Sequence, residues 1–376
     1  MRIGFDAKKI VSNLTGIGNY SRGTVNLLTA TGEDECVLFA PDKGNERCLA
    51  GLMPSHKIEF IYSGSGSGIG RNYWRNFSMV SDIAKSGVEI YHGLSNELPF
   101  GIGKAGCKSV VTIHDLIFLR YPTTYDYLSR KILEAKTKYA CRVADRIIAV
   151  SEQTKRDIVD FYGISPDKID VLYQGCHASF RQKHSEKEIA DVKAIYNLPE
   201  KYMLAVGTLE DRKNHATIIE ALSKLEDDIP LVIVSKKTSL QKKLEKQIST
   251  LGLESRVRII NGVPLKHLPA FYQGSEFAIY LSYFEGFGIP VLEGITSGVP
   301  VIAATGSCLE EAGGTGAVYC DPFDAKGVAD TMHKLLNSAD LRAELISEGE
   351  KHVENFTDET LRNNLRRFYE KVLEEK

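Results

Sequence analysis

Glu285 and Glu293 flank a glycine-rich stretch, Gly286-Phe287-Gly288-Ile289-Pro290, with seven residues between the two carboxylates. The apolar run 277–281 before them predicts a strand. Pro290 predicts the opening of a helix, because its missing N–H would have no partner in the first turn anyway. That reading puts Glu293 in the first helical turn, where the dipole favours negative charge, and Glu285 on the loop before it. Carboxylates at the carboxyl end of a strand can face a ligand crevice. Taken alone, the pair reads as one glutamate capping the helix and the other solvated. Complementary charge comes from Arg212 and Lys213, in Gly207-Thr-Leu-Glu-Asp-Arg-Lys-Asn214 after the apolar run 202–206. Arginine can bind phosphate oxygens bidentately and lysine acts as a point charge; an exposed surface pair is the plain alternative.

Two further groups follow strands in the first half of the chain. His114 and Asp115 end the run 109–113. A histidine there can act as acid, base or hydrogen-bond donor near neutral pH, or can simply be held by a backbone carbonyl. Thr15-Gly16-Ile-Gly18-Asn-Tyr20 follows the first strand and opens the first helix. Its glycines would let backbone N–H groups approach a phosphate or sugar. The third glycine of a dinucleotide fingerprint is absent, since Ser21 occupies that place, and a bare Gly-x-Gly is weak support for NAD. Ser63-Gly-Ser-Gly-Ser-Gly68 has no strand–helix context and reads as a flexible link.

The stretch from Glu285 through Glu293 to Gly298-Val-Pro resembles the Glu-x7-Glu signature of the group-4 family of retaining nucleotide-sugar glycosyltransferases with the GT-B fold. Arg212, Lys213 and Asn214 match that family's Gly-x-x-x-x-Arg-Lys-Asn segment. Weaker matches run through 150–158, Gly262-Val263-Pro, Leu268 to Tyr272, and Ser307 to Pro322. The resemblance implies that Arg212 and Lys213 grip the leaving nucleotide diphosphate, helped by N–H groups of Gly286, Phe287, Gly288 and Ile289. It implies that Glu285 binds a sugar hydroxyl, Glu293 the ribose, and Val263 the base edge. Gly16 and Gly18 would close over the donor, His114 would contact the donor sugar, Asp115 would support the loop or the acceptor, and Tyr20 would lie on the acceptor side. Asn19 stands where the family often has arginine, as does Lys8. The expected reaction moves a hexose, with mannose from GDP-mannose the first choice, to a saccharide or lipid-linked saccharide acceptor in surface-glycan synthesis. A phosphorylase or epimerase on the same fold, an NAD-dependent oxidoreductase and a two-domain sugar-binding protein are the rivals.

The elements needed to hold these groups are legible. Apolar runs at 2–5, 36–40, 57–62, 88–92, 109–113 and 146–150 alternate with helical periodicity, and the second half repeats this at 202–206, 231–235, 256–260, 277–281, 301–304 and 317–319. Such alternation predicts α/β architecture: two Rossmann-like, doubly wound parallel-sheet domains facing a deep cleft. The boundaries expected are 1–173 for the acceptor-binding domain and 174–355 for the nucleotide-sugar domain. A C-terminal helix, 356–376, has Leu361, Leu365, Phe368 and Leu373 inward and crosses back to the first domain, as the resemblance implies.

Composition narrows the class. Across 376 residues the formal net charge is −2, which gives no footprint for nucleic acid. The seven cysteines are scattered without a Cys-x-x-Cys, as reduced cytoplasmic thiols would be. No leader-like stretch or apolar run of about eighteen residues appears, so a cytoplasmic protein is expected. There is no Asp-x-Asp to bridge a metal to a diphosphate, so the donor is expected to react without a metal or other cofactor. The basic, tyrosine-rich segment 120–146 reads as a solvated helix face or, with a lipid-linked acceptor, as a peripheral contact with the inner membrane surface.

Overall fold

A computed structural model describes residues 1–375; Lys376, the last residue of the expected C-terminal helix, lies outside the described residues. The chain forms two compact units, one comprising Met1–Gln174 with the segment from Thr357 onward, the other Gly175–Phe356.

The first unit is built on seven parallel strands: β1 (Arg2–Asp6), β2 (Glu35–Ala40), β3 (Ile58–Tyr62), β4 (Ile90–Gly93), β5 (Lys108–Ile113), β6 (Arg146–Ala149) and β7 (Ile169–Val171). They lie in the order β3-β2-β1-β4-β5-β6-β7. Strands covered on both faces can be apolar throughout, and Val37-Leu38-Phe39-Ala40 is fully buried. One face packs Ile83, Phe118, Ala140 and Ile158; the other packs Ile10, Val25 and Leu28.

The C-terminal helix, Asp358–Glu374, completes that second face with Leu365, Phe368, Tyr369 and Val372. It packs along the helix Gly16–Thr29. Leu361 is buried as expected, but Leu373 is only partly covered. The helix turns Tyr369 and Val372 inward instead, because that stripe follows 3.6-residue periodicity from Leu365. Phe356 precedes the helix and stays with the second unit, against Phe287 and His352.

Two local expectations are corrected. Ser63-Gly-Ser-Gly-Ser-Gly68 does join a strand to a helix: it follows β3, and Ser67 caps Gly68–Tyr73 by accepting the Gly70 N–H at 3.0 Å. Thr15–Tyr20 does not open the first helix, since a short one, Lys8–Ser12, intervenes.

The second unit has six parallel strands: β8 (Met203–Val206), β9 (Leu231–Ser235), β10 (Val257–Asn261), β11 (Phe277–Tyr280), β12 (Val301–Ala304) and β13 (Ala317–Cys320). Their order is β10-β9-β8-β11-β12-β13. Its core joins Ile218, Leu222, Ile233, Ile279, Val328 and Met332. In this sheet the winding reverses between β8 and β11, and open parallel sheets bind ligands beyond the strand ends at such a point.

Candidate active site

The loop after β8 makes a single tight turn, Asp211–Lys213, closed by Asn214 at φ 56°. Asparagine tolerates that left-handed backbone better than most residues. The loop after β11 is stitched to it. Tyr283 N–H and Ser282 Oγ donate to the Arg212 carbonyl at 3.0 and 3.1 Å, and the Arg212 guanidinium donates to the Phe284 carbonyl at 3.1 Å.

These bonds bring Glu285 between the two cations predicted from sequence. Its Oε1 lies 2.6 Å from Arg212 Nη1 and 2.6 Å from Lys213 Nζ. The Tyr280 hydroxyl donates to the same oxygen at 2.7 Å and accepts from Lys213, whose ammonium sits 5.0 Å from the tyrosine ring centre. Burial would raise the Glu285 carboxyl, but Lys213 and Arg212 outweigh it and hold the group at about 2. Arg212 also pairs with Glu210 at 2.9 Å. Tyr280 was not singled out from sequence; its signal was a polar-headed residue at the end of an otherwise apolar strand.

Glu293 departs from expectation. The helix runs Ile289–Thr296 and has no acidic residue in its first turn. It begins one residue before Pro290, because Gly288 adopts φ 122° at the cap, and this carries Glu293 past the turn where the dipole acts most strongly. Its Oε2 accepts a 3.2 Å bond from Tyr272, whose hydroxyl is also 3.2 Å from the Pro290 carbonyl. Burial raises the Glu293 carboxyl to about 8, with the Tyr272 bond and Lys213 opposing only in part. The neighbouring carboxylates thus differ sharply: Glu285 is ionised and Glu293 holds its proton at neutral pH.

The turn between them is constrained by packing. A Cβ on Gly288 would lie 2.6 Å from Leu309 Cδ2. Phe287 is buried, and its ring is 5.8 Å from Phe356. Gly286 and Ile289 are half-buried. Val263 follows β10, the edge strand two places from β8, after Gly262 at φ 76°; it belongs to the same end of the sheet without joining the charged cluster.

In the first unit His114 follows β5 and is buried. Its Nε2 donates to the Leu94 carbonyl at 2.9 Å, which leaves the Nδ1 lone pair as the imidazole's acceptor. Burial lowers it to about 4, against the Leu94 bond, so the ring is neutral at pH 7. Asn96, at φ 60°, accepts the His114 N–H at 2.9 Å and fixes this corner; sequence reasoning missed it. Asp115 accepts the Ile117 N–H at 3.1 Å and so supports the loop.

Tyr20 stands edge-on to His114, with ring centres 4.8 Å apart. Its hydroxyl points to Thr112 Oγ1 at 3.0 Å. From there a chain continues to His92 Nε2 at 2.7 Å, and from His92 Nδ1 to the Tyr369 hydroxyl at 2.7 Å. The phenol is therefore committed to the core, unlike the acceptor-side contact expected of it. Gly18 is likewise committed. Its N–H donates to Asn13 Oδ1 at 3.2 Å, and a Cβ there would meet the Asn13 carbonyl oxygen at 1.9 Å. Gly16 is exposed, with open space around it. Among the described residues no group of three His, Cys, Asp or Glu side chains is arranged to hold a metal ion.

Comparison with known proteins bears on the family and the fold. Residues 14–180 match the family model described as Glycosyltransferase Family 4, and residues 185–352 match Glycosyl transferases group 1. The O-antigen chain mannosyltransferase B of Escherichia coli is 26% identical over 245 residues, covering 64% of this chain and 63% of its own length. The O-antigen chain mannosyltransferase RfbU of Salmonella typhimurium is 27% identical over 219 residues, 58% of each chain. The match thus spans about three fifths of these curated relatives. Anabaena HepE, solved in complex with UDP and glucose, superposes over 99% of this chain and 100% of its own, with a TM-score of 0.78 at 17% identity. WaaG, a glycosyltransferase involved in lipopolysaccharide biosynthesis, covers 97% of this chain and 98% of its own, with a TM-score of 0.69 at 17% identity. At such identities the structural likeness speaks for the fold, and the two family models take up most of the sequence in turn. By both, the chain belongs to the family 4 glycosyltransferases of the GT-B fold.

Proposed function

We propose that the chain transfers a hexose with retention from a nucleotide diphosphate sugar, mannose from GDP-mannose in first place, to a saccharide or lipid-linked saccharide acceptor in surface-glycan synthesis. The observation that carries this reading is the Arg212–Glu285–Lys213 cluster at the β8/β11 reversal. A diphosphate arriving there takes over the two cations, and Glu285 is released to accept from a sugar hydroxyl. Glu293 accepts from the ribose hydroxyls. The start of the helix Ile289–Thr296, with the turn before it, adds its dipole toward the phosphates.

In the transfer the anomeric C–O bond breaks and its electron pair passes to the diphosphate oxygen, where Arg212 and Lys213 stabilise the growing charge. The acceptor oxygen forms the new bond on the same face, and its proton goes to the departing phosphate. His114, neutral, contacts the donor sugar through the edge that Leu94 leaves open. Because two side-chain cations meet the diphosphate, the reaction runs without a metal. The names of the mannosyltransferase relatives support the hexose, while the UDP bound to HepE makes uridine the second candidate for the base.

The same reading puts the protein at the cytoplasmic side of a membrane. No described helix is long and apolar enough to cross one. The helix Tyr127–Val143 exposes Tyr127 and Leu128 by 70% and 68% beside Arg130 and Lys131, a combination suited to peripheral contact.

Calorimetric titration with GDP, UDP and ADP in EDTA tests the donor reading. One nucleotide should bind without metal, and Arg212→Ala should weaken it roughly ten- to a hundredfold, the worth of a charge-assisted bond. Binding that requires a divalent ion, or that survives Arg212→Ala unchanged, would overturn the assignment.

A further inference from the structure

Beside the charged cluster stands an aromatic group that the transfer chemistry leaves unused. Phe323 is 71% exposed at the tip of the four-residue turn Asp321-Pro322-Phe323-Asp324, which joins β13 to the helix Ala325–Asn337. The turn is held from several sides. The Pro322 carbonyl accepts from Asn214 Nδ2 at 2.5 Å, Phe323 N–H donates to Asp321 Oδ1 at 2.8 Å, and Asp324 accepts the N–H groups of Lys326 and Gly327 at 3.1 and 3.0 Å. The Phe323 ring lies 5.6 Å from that of Tyr283, tilted by 33°. Tyr283 is itself bonded to the Arg212 carbonyl. The two rings are thus tied, one through each loop, to the segment that carries Arg212 and Lys213.

Single exposed aromatics are ordinary. A paired one on a pinned loop differs, because holding it in place costs little further entropy when a ligand arrives. Its ring face is electron-rich, and the axial C–H face of a pyranose is the complementary surface. The Asp321 carboxylate, one residue from Pro322, is held on the turn by the Phe323 N–H and adds a polar group at the base of the ring. Strand order separates this position from the expected base edge: Val263 follows β10 at one edge of the sheet, and Phe323 follows β13 at the other.

We propose that Tyr283 and Phe323 form a saccharide-stacking subsite that holds a pyranose of the acceptor glycan beside the Arg212–Glu285–Lys213 cluster. This rests on the transferase reading above. The test is steady-state kinetics with GDP-mannose and UDP-glucose against mannose-, glucose- and galactose-terminated oligosaccharides. Acceptor-independent release of nucleoside diphosphate serves as the internal control.

Phe323→Ala should raise the acceptor KM roughly three- to tenfold, the span of an aromatic contact. Donor KM and acceptor-independent release should stay unchanged, and Phe323→Trp should keep the wild-type acceptor KM. A rise in donor KM instead would mean that the ring stacks on the nucleoside, and an unchanged acceptor KM would mean a merely solvated side chain; either overturns the subsite. If the wild-type protein releases no nucleoside diphosphate from either donor, the transferase reading is what fails. The subsite is then judged by saturation-transfer NMR on the same oligosaccharides: binding lost in Phe323→Ala upholds it, and binding absent from the wild type or retained in the variant refutes it.

Discussion

Replacing Glu293 by glutamine should stabilise the ligand-free protein, and increasingly so as pH rises. The carboxyl has an ordinary value of 4.5 and is raised to about 8 by burial. The unfolded chain therefore gives up this proton at lower pH than the folded one. Stability tied to the group is fully present below about 4.5, falls as pH rises, and is lost once pH passes about 8. A shift of that size corresponds to at most about 5 kcal/mol at 1.36 kcal/mol per unit. Water penetration and local relaxation bring the expected figure to roughly 2 kcal/mol. Glutamine matches the protonated acid in shape and never ionises, so it escapes the loss.

The melting temperatures of wild type and Glu293→Gln should coincide near pH 5. At pH 8.5 the variant should melt higher by roughly 5 °C, given about 2–4 °C per kcal/mol for a unit of this size. Saturating GDP should reverse the order, because ribose hydroxyls stabilise the carboxylate and have less to gain from an amide. A constant difference at every pH would refute the burial argument, and so would a variant less stable at pH 8.5.

Other substitutions test separate parts of the structure. Gly18→Ala forces a Cβ against the Asn13 carbonyl and should cost about 1–3 kcal/mol by chemical denaturation, whereas Gly16→Ala, with open space around it, should be neutral or slightly stabilising. Equal effects would show that the close approach at Gly18 is relieved elsewhere. Tyr369→Phe leaves His92 Nδ1 unpaired in a fully buried place and should cost about 1–3 kcal/mol in a urea titration. An unchanged midpoint would mean that water replaces the lost hydroxyl.

Much of the sheet architecture was legible because buried parallel strands are apolar over most of their length, as at 37–40 or 231–234, and need no alternation to be seen. The residue types of the site were legible too, since strand ends are where an α/β protein puts its chemistry. Contacts made across sequence distance were not. Glu285 meets Arg212 and Lys213 because β8 and β11 are neighbours, and strand order is not written in either segment. Directions were equally hidden. Tyr20 turns its hydroxyl to Thr112 through the rotation of its helix against the sheet, and no local pattern records that rotation. Glycine is ambiguous for the same reason: Gly18 makes room for Asn13, where a ligand's approach would have left the same letter in the sequence. A one-residue change in where the helix begins moved Glu293 out of the first turn, and boundaries of that kind shift by a residue or two in any reading.

The helix Asp358–Glu374 also sets a timetable for biosynthesis. It closes one face of the first unit, yet the ribosome makes it only after all of Gly175–Phe356 has been made. At about 5–20 residues per second, those residues take roughly ten to forty seconds to emerge. Throughout that interval Ile10, Val25 and Leu28 lack the cover that Leu365, Phe368 and Val372 will give them. The nascent first unit therefore needs its apolar surface shielded during translation until the helix Asp358–Glu374 docks.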